Sequence, residues 1–517
     1  MDSKRQILRG SVVVAFFNLL GGLSGIVVET SIAAHLGLSR SSDTFYVAYT
    51  IPYIITNLLA ATGLYSLVPF FASLQADGDE EGLWRGFSYV TNMVLLGMGT
   101  VALLGAVAAP WIVDGIAPGI THAQRVDATA MSRWLFLIIV PAGVAEVLRS
   151  FLLSHHYFAL STATGFIRNA TVVIFILLGF HRFGPYSMVL GYMAGYLLQL
   201  VILGSQIVMS FPARYFLAFR ASGEPFRNLK GAGAAQLGSA VAWQGFVIVE
   251  RIIASFLPAG TLTALNYGFK ILGTIAELFG GSVGTATLPT LSRAVADRNE
   301  DEERRTFRDT LALSLLLLAP MAIFCLSLDH SIIRFVFQRG KFTPEATDLM
   351  AMVFFYYCLS LFAFAFLRLL NFYLFARREP GLYFRLSLVQ DILIVVFDVF
   401  YVVILRLGAR GIPLGFLTGS LLACIYAVWS NLGGLDGVLD RVLGKFAAKN
   451  LLAALLATLS VFGLRAWMTP PRTTSEDFLY LCIICGTGSC VYLAALTLLR
   501  ALPVSQLTLL WPRSNGS

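Results

Sequence analysis

The chain has 517 residues, of which 57% are hydrophobic and 13% are charged, and its mean hydropathy is +0.76. A soluble domain is about half apolar and about a quarter charged, so this composition excludes a soluble protein and indicates an integral membrane protein. The net charge of +8 is explained by basic loops at the inner leaflet and requires no nucleic-acid partner.

The apolar runs are long and do not alternate, which is typical of membrane-spanning helices and not of barrel strands. The predicted fold class is therefore an all-α integral membrane protein. The N-terminal run carries no cleavage-type site behind it and is interpreted as the first helix, not as a removable signal. About fourteen spans are predicted, at approximately 10–36, 43–73, 86–115, 132–154, 158–180, 186–211, 232–257, 262–292, 308–328, 347–376, 381–406, 411–434, 449–469 and 477–499.

Lys and Arg are distributed unevenly between the loops. If the N-terminus lies inside, the inner segments hold 20 of these residues and the outer segments hold 11. The positive-inside rule then predicts a multi-pass protein whose two termini both face the cytoplasm.

The chain resembles itself when it is shifted by about 220 residues. VVETSIAAHL aligns with IVERIIASFL, which places Glu29 over Glu250, and LRSFLLSHHYFAL aligns with LRLLNFYLFARRE, which places Arg149 over Arg368. Two six-helix lobes that run in the same direction are therefore predicted, related by a parallel pseudo-two-fold repeat and followed by two C-terminal helices. The predicted domains are an N-lobe at 1–220, a C-lobe at 221–440, and two extra helices with a cytoplasmic tail at 441–517.

Six bases and six acids are assigned to the membrane interior, together with an aspartate at the outer start of the second span, and the charges near the ends of the predicted spans are assigned to the loops. A charge at the bilayer centre costs about 2.5–3.5 kcal/mol on insertion scales, so these side chains are predicted to face one another or water. We interpret them as the lining of a wet cavity that holds an anionic head group such as a diphosphate. The predicted substrate-binding residues are Lys270, Arg149, Arg168, Arg251, Arg368, Asp43, Glu29 and Glu250.

Ion pairing between or within helices is the alternative explanation for these charges. Glu146 and Arg149 lie three residues apart on one helix face, where both explanations stand. Lys270 shares a face with Glu277, seven residues on, and there the cavity is favoured. Arg385 lies close to an inner helix end, where a snorkelling side chain is the favoured explanation.

Asp391 and Asp398 are seven residues apart and share a face of the eleventh predicted helix. Buried carboxylates with this spacing are candidates for binding Na+ or a proton, which would couple transport to an ion gradient. Pairing with Arg385, or a hydrogen bond to a neighbouring helix, is an equal alternative.

The sequence gives no indication of catalysis, nucleotide binding or metal binding. It contains no GxxxxGK[ST] or HExxH pattern, its GGSVG match to GxSxG at 280–284 falls inside a predicted membrane span, and all six cysteines lie in apolar spans, where free Cys behaves as a small hydrophobe. The chain is therefore predicted not to be an enzyme and to hold no cofactor or metal. An Na+ or proton gradient, or the membrane potential, is the predicted energy source.

Three segments carry a family resemblance: SSDTFYVAYTIP at 41–52, GTATLPTLSRA at 284–294 and FQRGKFTPEA at 337–346. The last, which fits the pattern FxxGKFT, is the most specific. In these motifs the chain resembles the MurJ/MviN lipid II flippases of the multidrug/oligosaccharidyl-lipid/polysaccharide exporter superfamily.

The resemblance implies a V-shaped bundle of two lobes that alternates between inward-open and outward-open states in the bacterial inner membrane. It implies a substrate of the polyprenyl-diphosphate-linked class: lipid II, or a capsule, O-antigen or exopolysaccharide repeat unit. The last two helices are implied to help form a groove for the lipid tail. The expected partners are this lipid-linked oligosaccharide, membrane lipids, and cell-wall or polysaccharide synthases.

Carried over by position, Asp43 matches the family's helix-2 aspartate, and Lys270 falls where the family has a cavity arginine. Lys and Arg are not interchangeable for a bidentate grip on phosphate, so Lys270 is an altered contact. The family's other cavity arginines and its second helix-2 acid are replaced in this chain, by Gly22, Val28, Thr56 and either Ala60 or Ala61.

Two other functions are weighed against the flippase. A cation-coupled multidrug exporter of the same superfamily would place acids, not bases, in its cavity, because its substrates are cationic. A non-transporting scaffold of a polysaccharide-export complex would pair its buried charges and leave no open cavity.

Overall fold

The computed structural model describes residues 2–76, 78–219, 234–468 and 474–501. The chain divides into two compact units: unit 1 extends to Thr263 and also includes Arg339–Phe342, and unit 2 holds the remainder. The predicted lobe boundary at 220/221 and the predicted cytoplasmic tail after residue 501 lie outside the described residues. The division into the predicted domains stays a prediction.

Unit 1 is built from helices, with a π-helical turn at Gly63–Leu67. Its helices are α1 (Asp2–Leu36), α2 (Arg40–Thr62), α3 (Val68–Ala76), α4 (Glu80–Ile116), α5 (His122–Leu137), α6 (Ile139–Ser154), α7 (Phe158–Phe183), α8 (Tyr186–Ser210) and α9 (Ala234–Ser255).

Unit 2 is also helical and begins inside α10 (Thr261–Ala276). Its π-helical turns lie at Glu277–Gly281 and Phe400–Ile404, and its 3-10 turns at Gly408–Arg410 and Leu435–Gly437. Its further helices are α11 (Ser282–Ala296), α12 (Glu300–Ser327), α13 (Asp329–Phe337), α14 (Pro344–Leu359), α15 (Leu361–Ala376), α16 (Pro380–Val399), α17 (Gly411–Trp429), α18 (Arg441–Trp467) and α19 (Thr474–Leu498).

The helices are long and apolar enough for a multi-pass membrane protein. Among the described residues, 12 spans pass this test, and the pair α14 and α15, bent by 50°, raises the number to 13. Helix α9 lies where the seventh of the predicted spans was placed, and Glu250 and Arg251 lower its hydropathy. The all-helical membrane fold is confirmed.

Two helices begin earlier than their apolar runs. Helix α5 starts at His122, ten residues before the predicted span, because Thr121 and Gln124 form a capping box. Helix α12 starts at Glu300 because the Asn299 side chain accepts a hydrogen bond from the Glu302 N–H at 3.2 Å. Hydropathy does not detect these polar first turns, although they satisfy the free N–H groups at a helix start.

The backbone repeats with the same offset as the sequence. The break between α5 and α6 falls at Ile138, and the break between α14 and α15 falls at Ser360, about 220 residues later. Residues with left-handed φ recur at the same offset in four pairs: Gly37 and Gly260, Gly78 and Arg298, His156 and Arg378, and Gly184 and Arg406. The internal duplication therefore extends to the places where the chain turns.

The C-terminal helices α18 and α19 pack on α12 in unit 2. The Tyr492 hydroxyl contacts Asn450 Oδ1 at 2.7 Å and the Leu316 carbonyl oxygen at 2.9 Å, which joins the three helices at a buried point. Around it lies an apolar cluster that includes Phe324 and Ile484. This packing fixes α18 beside α12.

Unit 1 includes one short segment from far along the sequence, Arg339–Phe342, which contains part of the family-specific motif. The Lys341 N–H donates to the Ala34 carbonyl oxygen at 2.8 Å, at the end of α1. Gly340 has φ +59°, and a Cβ on it would overlap the Ala34 carbonyl oxygen. Glycine is therefore required at 340 by both conformation and space.

The Gly340→Ala variant is expected to be less stable than a matched variant, Gly408→Ala. Gly408 has φ +62° but open space around its Cβ position, so both variants incur the left-handed cost of about 1–2 kcal/mol, and only Gly340→Ala must also displace α1. Thermal unfolding of the two purified variants in detergent measures the difference. Equal losses of stability would show that the Ala34 contact yields freely.

Candidate functional site

Glu29 is a buried acid on α1. It is 4% exposed, and the Tyr46 hydroxyl of α2 donates a hydrogen bond to its Oε2. The tyrosine solvates the carboxylate inside the helix bundle, as a buried polar group requires. Glu29 is thus held between two helices of unit 1.

Asp43 accepts hydrogen bonds from the segment around the start of α10. Its Oδ2 accepts from the Gly260 N–H at 2.6 Å, and its Oδ1 accepts from the Thr263 N–H at 2.9 Å and the Thr263 hydroxyl at 2.6 Å. The carboxylate therefore caps the N-terminus of α10 from another helix, where a negative charge is stabilised by the helix dipole. The contact explains an aspartate at 43 in structural terms.

Glu146 and Arg149 on α6 form the ion pair that their spacing allows. Arg149 Nη2 lies 2.6 Å from Glu146 Oε1, and its Nε lies 3.0 Å from Glu146 Oε2. A Cβ on Gly63 would overlap the Glu146 carboxylate, so the glycine in the π-helical turn makes room for the acid. The pair uses Nε and Nη2 of the guanidinium.

Arg168 on α7 is in contact with a phenol. Its Nη1 donates to the Tyr196 hydroxyl at 3.4 Å, and its Cζ lies 4.9 Å from the centre of that ring. On α9, Arg251 Nη1 is 3.5 Å from the Leu262 carbonyl oxygen. Glu250 and Arg251 are both partly buried.

In unit 2 the acid and base pairing differs from the helix-face expectation. Glu277, predicted to share a face with Lys270, accepts a hydrogen bond from Arg368 Nη2 of α15. Lys270 is partly buried on α10. Arg368 therefore has a direct carboxylate partner, in the same way that Arg149 does.

The two aspartates of α16 are both buried, Asp391 at 6% exposure and Asp398 at 0%. Their helix packs closely on α17, where a Cβ on Gly415 would overlap the Asp398 carboxylate. Asp391 Oδ2 has no hydrogen-bond partner among the described residues. Arg385, the alternative partner of Asp391, instead lies with its Cζ 5.4 Å from the centre of the Tyr426 ring.

Two clusters of polar side chains were not predicted from the sequence. Tyr49 and Tyr53 on α2, with Tyr192 and Tyr196 on α8, collect around Arg168. Each pair is spaced four residues apart, and this spacing of tyrosines inside apolar spans was the signal available.

The second missed cluster is an ion-pair network at one end of unit 2. Arg377 Nη1 lies 2.7 Å from Glu303 Oε1 and 3.1 Å from the Gly433 carbonyl oxygen, and the Tyr373 hydroxyl donates to Glu303 Oε1 at 2.7 Å. Arg377 was counted only as a loop base. The network holds the segment after α17 against α12 and α15.

An apolar groove lies between α12, α15 and α18. It consists of two cavities of about 290 and 460 Å³ that share Leu315, Phe362 and Ala447 in their linings. The first cavity ends at Asp440, and the second extends to Phe462. The lining is almost entirely aliphatic and aromatic, so the groove suits a hydrocarbon chain.

A charged pair marks the Asp440 end of the groove. Asp440 Oδ1 caps α18 by accepting from the Val442 N–H at 3.0 Å and the Leu443 N–H at 2.8 Å, while its Oδ2 accepts from Arg308 Nη1 at 2.8 Å. The Leu443 N–H above all, and the Arg308 guanidinium in addition, hold the pKa of Asp440 below its ordinary range. The acid is therefore ionised at neutral pH.

Among the described residues, no group of three or more His, Cys, Asp or Glu side chains could hold a metal ion. The arrangement consists of buried charges in both units and an apolar groove in unit 2. The groove can accommodate an apolar chain, and the buried bases of each unit can interact with an anion.

Comparison with known proteins identifies relatives over most of the chain. Residues 32–481 match the family model described as lipid II flippase MurJ. The chain is 27% identical over 508 residues to the probable lipid II flippase MurJ of Rhizobium meliloti, covering 91% of this chain and 90% of the relative. It is 25% identical over 427 residues to the lipid II flippase MurJ of Burkholderia cenocepacia, covering 81% and 82%.

Solved structures share the fold. A lipid II flippase MurJ in an inward closed conformation matches with a TM-score of 0.80 at 18% identity, covering 95% of this chain and 99% of that one. An inward-facing multidrug resistance MATE transporter of the MOP superfamily matches with a TM-score of 0.68 at 14% identity, covering 83% and 96%.

The Asp43→Ala variant is expected to lose about 2 kcal/mol of stability, because three donors around the start of α10 lose their acceptor. Asp43→Asn should lose less, since its amide oxygen still accepts from Thr263. The matched control is Asp79→Ala, because Asp79 precedes α4 without forming a side-chain cap. Thermal unfolding of the variants in detergent measures the loss of stability. Equal losses in Asp43→Ala and Asp79→Ala would show that Asp43 does not act as a cap.

Proposed function

Because the chain belongs to the MurJ lipid II flippase family, we propose that it moves lipid II across the bacterial inner membrane by alternating access. The match to the family over residues 32–481 carries the proposal. The substrate combines an undecaprenyl tail, a diphosphate and a polar glycan. Both termini then lie in the cytoplasm, in agreement with the distribution of Lys and Arg.

The apolar groove of unit 2 supports a polyprenyl substrate. Its lining between Leu311 and Phe462 offers aliphatic and aromatic surface, which excludes water and favours a hydrocarbon chain. Helix α18, the first of the two extra helices, forms one of its walls, so the lipid tail is assigned to this groove. Asp440 and Arg308 mark where the apolar surface ends.

The buried bases support an anionic head group. The ion pair with Glu146 uses Nε and Nη2 of Arg149 and leaves Nη1 for a phosphate oxygen. Glu277 accepts a hydrogen bond from Arg368 Nη2, and the two carboxylates orient the guanidinium groups. Lys270 contributes a point charge, with less geometric selectivity than an arginine.

Asp391 and Asp398 are assigned to coupling with an Na+ or proton gradient. Both are buried on α16, and Arg385, the base that could neutralise Asp391, lies over Tyr426 instead. At neutral pH, a buried carboxylate binds a proton or a cation more readily than a carboxylate in water does. This pair therefore offers a chemical link between an ion gradient and the helix packing of unit 2.

Lys270→Ala and Arg149→Ala are each expected to abolish rescue of a strain depleted of its lipid II flippase, at normal protein levels. Arg149→Lys separates loss of charge from loss of geometry, and Arg85→Ala is the control, because Arg85 pairs with Glu81 on an exposed surface. Full rescue by both alanine variants would remove these bases from head-group binding. A wild-type chain that fails to rescue would point to another polyprenyl-linked glycan.

Asp391→Asn and Asp398→Asn are expected to make lipid II transport in proteoliposomes insensitive to the Na+ or proton gradient, because an amide neither binds a proton near neutral pH nor carries charge. Asp348→Asn is the control, since this acid is exposed beside His330. Gradient dependence equal to that of the wild type in both variants would exclude the two aspartates from coupling.

A further inference from the structure

Arg168 differs from Arg149 and Arg368 of the predicted site in its surroundings. Arg149 is bonded to Glu146 and Arg368 to Glu277, so each of these charges has a carboxylate beside it. Arg168 forms no ion pair among the described residues. Glu146 is near enough to act on it electrostatically, but that carboxylate is bonded to Arg149.

Four tyrosines and Arg168 form what we term the tyrosine box: Tyr49 and Tyr53 of α2, Tyr192 and Tyr196 of α8, and Arg168 of α7. All four phenols interact electrostatically with the guanidinium. The rings of Tyr49 and Tyr192 lie 4.6 Å apart, and those of Tyr49 and Tyr53 lie 5.5 Å apart. The box contains one cation and four hydroxyl groups, two of which, on Tyr49 and Tyr192, are hydrogen-bonded to each other. The acid that acts on it electrostatically through Tyr192 is Glu29, whose carboxylate accepts from Tyr46.

The guanidinium keeps a donor that the protein does not use. Arg168 Nε is buried and has no acceptor among the described residues, and a buried donor without an acceptor is costly. The glycine at 195 leaves room for the Arg168 side chain, because a Cβ on Gly195 would lie 2.9 Å from Arg168 Cγ. In an ordinary close-packed core, we would expect a larger side chain at 195 to fill the space that the Arg168 side chain, with its unsatisfied donor, occupies here.

Open space and further polar groups lie beside the box. A Cβ on Gly165, one turn before Arg168, or on Gly21 of α1 would meet nothing within 4 Å. Asn169 Nδ2 donates to the Gly21 carbonyl oxygen at 3.2 Å and to Ser24 Oγ at 3.0 Å. Polar groups therefore lie beside Arg168, as a mid-membrane arginine requires, while Tyr49, Tyr192 and Tyr196 are themselves buried.

We propose that the tyrosine box is the subsite that binds the diphosphate of the lipid-linked substrate. The guanidinium supplies charge and a planar set of N–H donors, and the phenols supply O–H donors without adding a repelling anion. A low-dielectric wall strengthens each of these bonds. The inference rests on the proposed flippase function and names the residues that would read the phosphates.

The test uses the purified full-length chain in detergent and measures affinities for undecaprenyl diphosphate, undecaprenyl phosphate and undecaprenol by native mass spectrometry. Arg168→Gln is expected to weaken binding of the diphosphate about tenfold or more and to leave undecaprenol unchanged. The affinity of Arg168→Lys for undecaprenyl diphosphate should lie between those of the wild type and Arg168→Gln. Inorganic diphosphate should compete with undecaprenyl diphosphate on the wild type but not on Arg168→Gln.

Arg385→Gln is the matched control, because Arg385 lies over the Tyr426 ring at 5.4 Å as Arg168 lies over Tyr196. Both variants lose a cation–π contact, and only Arg168→Gln should lose the diphosphate. Equal affinities of Arg168→Gln and wild type for all three lipids would overturn the proposal. So would the same loss in Arg385→Gln.

If Arg168→Gln does not fold, Tyr196→Phe decides the question, since it keeps the ring and removes only the hydroxyl. Weaker diphosphate binding supports the box, and unchanged binding refutes it. Transport of lipid II by wild-type protein in vesicles is measured separately. Active transport combined with unaffected variants refutes only the subsite, whereas inactive wild type refutes the proposed function.

Discussion

The cost of a charge inside a bilayer is the constraint on which the polar organisation of this chain depends. A side chain that leaves water must recover its solvation from hydrogen bonds, from an opposite charge or from a wet cavity. The described residues show several solutions. Asp43 accepts hydrogen bonds from backbone N–H groups at a helix start, and Glu146 and Glu277 form ion pairs with arginines. Arg168 takes phenols, which satisfy it only in part.

The incomplete hydrogen bonding of Arg168 is the informative case. A carboxylate beside a guanidinium neutralises it and lowers its attraction for a further anion, whereas phenols stabilise the cation and leave its charge in place. Arg149 and Arg368 are therefore oriented groups with their charge largely compensated. Arg168 is a cation that remains available. Within unit 1, the chemistry of the partner distinguishes two kinds of buried base: Arg149 is oriented by a carboxylate, and Arg168 is in contact with phenols.

Much of the fold follows from the sequence, because hydropathy and an offset of about 220 residues are both properties of the chain alone. The break at Ile138 and its counterpart at Ser360 show that the repeat includes bends that hydropathy does not detect. Pairing was harder to predict. Helix periodicity places Glu277 on one face with Lys270, where the cavity was favoured over an ion pair. The bond of Glu277 to Arg368 was not predicted, because periodicity orders residues along one helix and gives no information about the helix packed against it.

The tyrosine box was missed for a related reason. Tyr49 and Tyr53 share a face of α2, as Tyr192 and Tyr196 share a face of α8, and aromatic residues in apolar spans are ordinarily read as packing. Only the meeting of three helices around Arg168 turns four hydroxyl groups into one site. A search of spans for tyrosines four residues apart, combined with an unpaired base on a third span, would have found it.

The two halves of the chain share their turns but differ in the side chains that their helices carry. Arg168 and Arg385 each lie over a tyrosine, at 4.9 Å and 5.4 Å, but Arg168 is partly buried among further tyrosines and Arg385 is exposed. Unit 2 instead gains α18, which has no counterpart in the first half and closes an apolar groove with α12 and α15. The turns therefore repeat between the two halves of the chain while the side chains that line their helices differ.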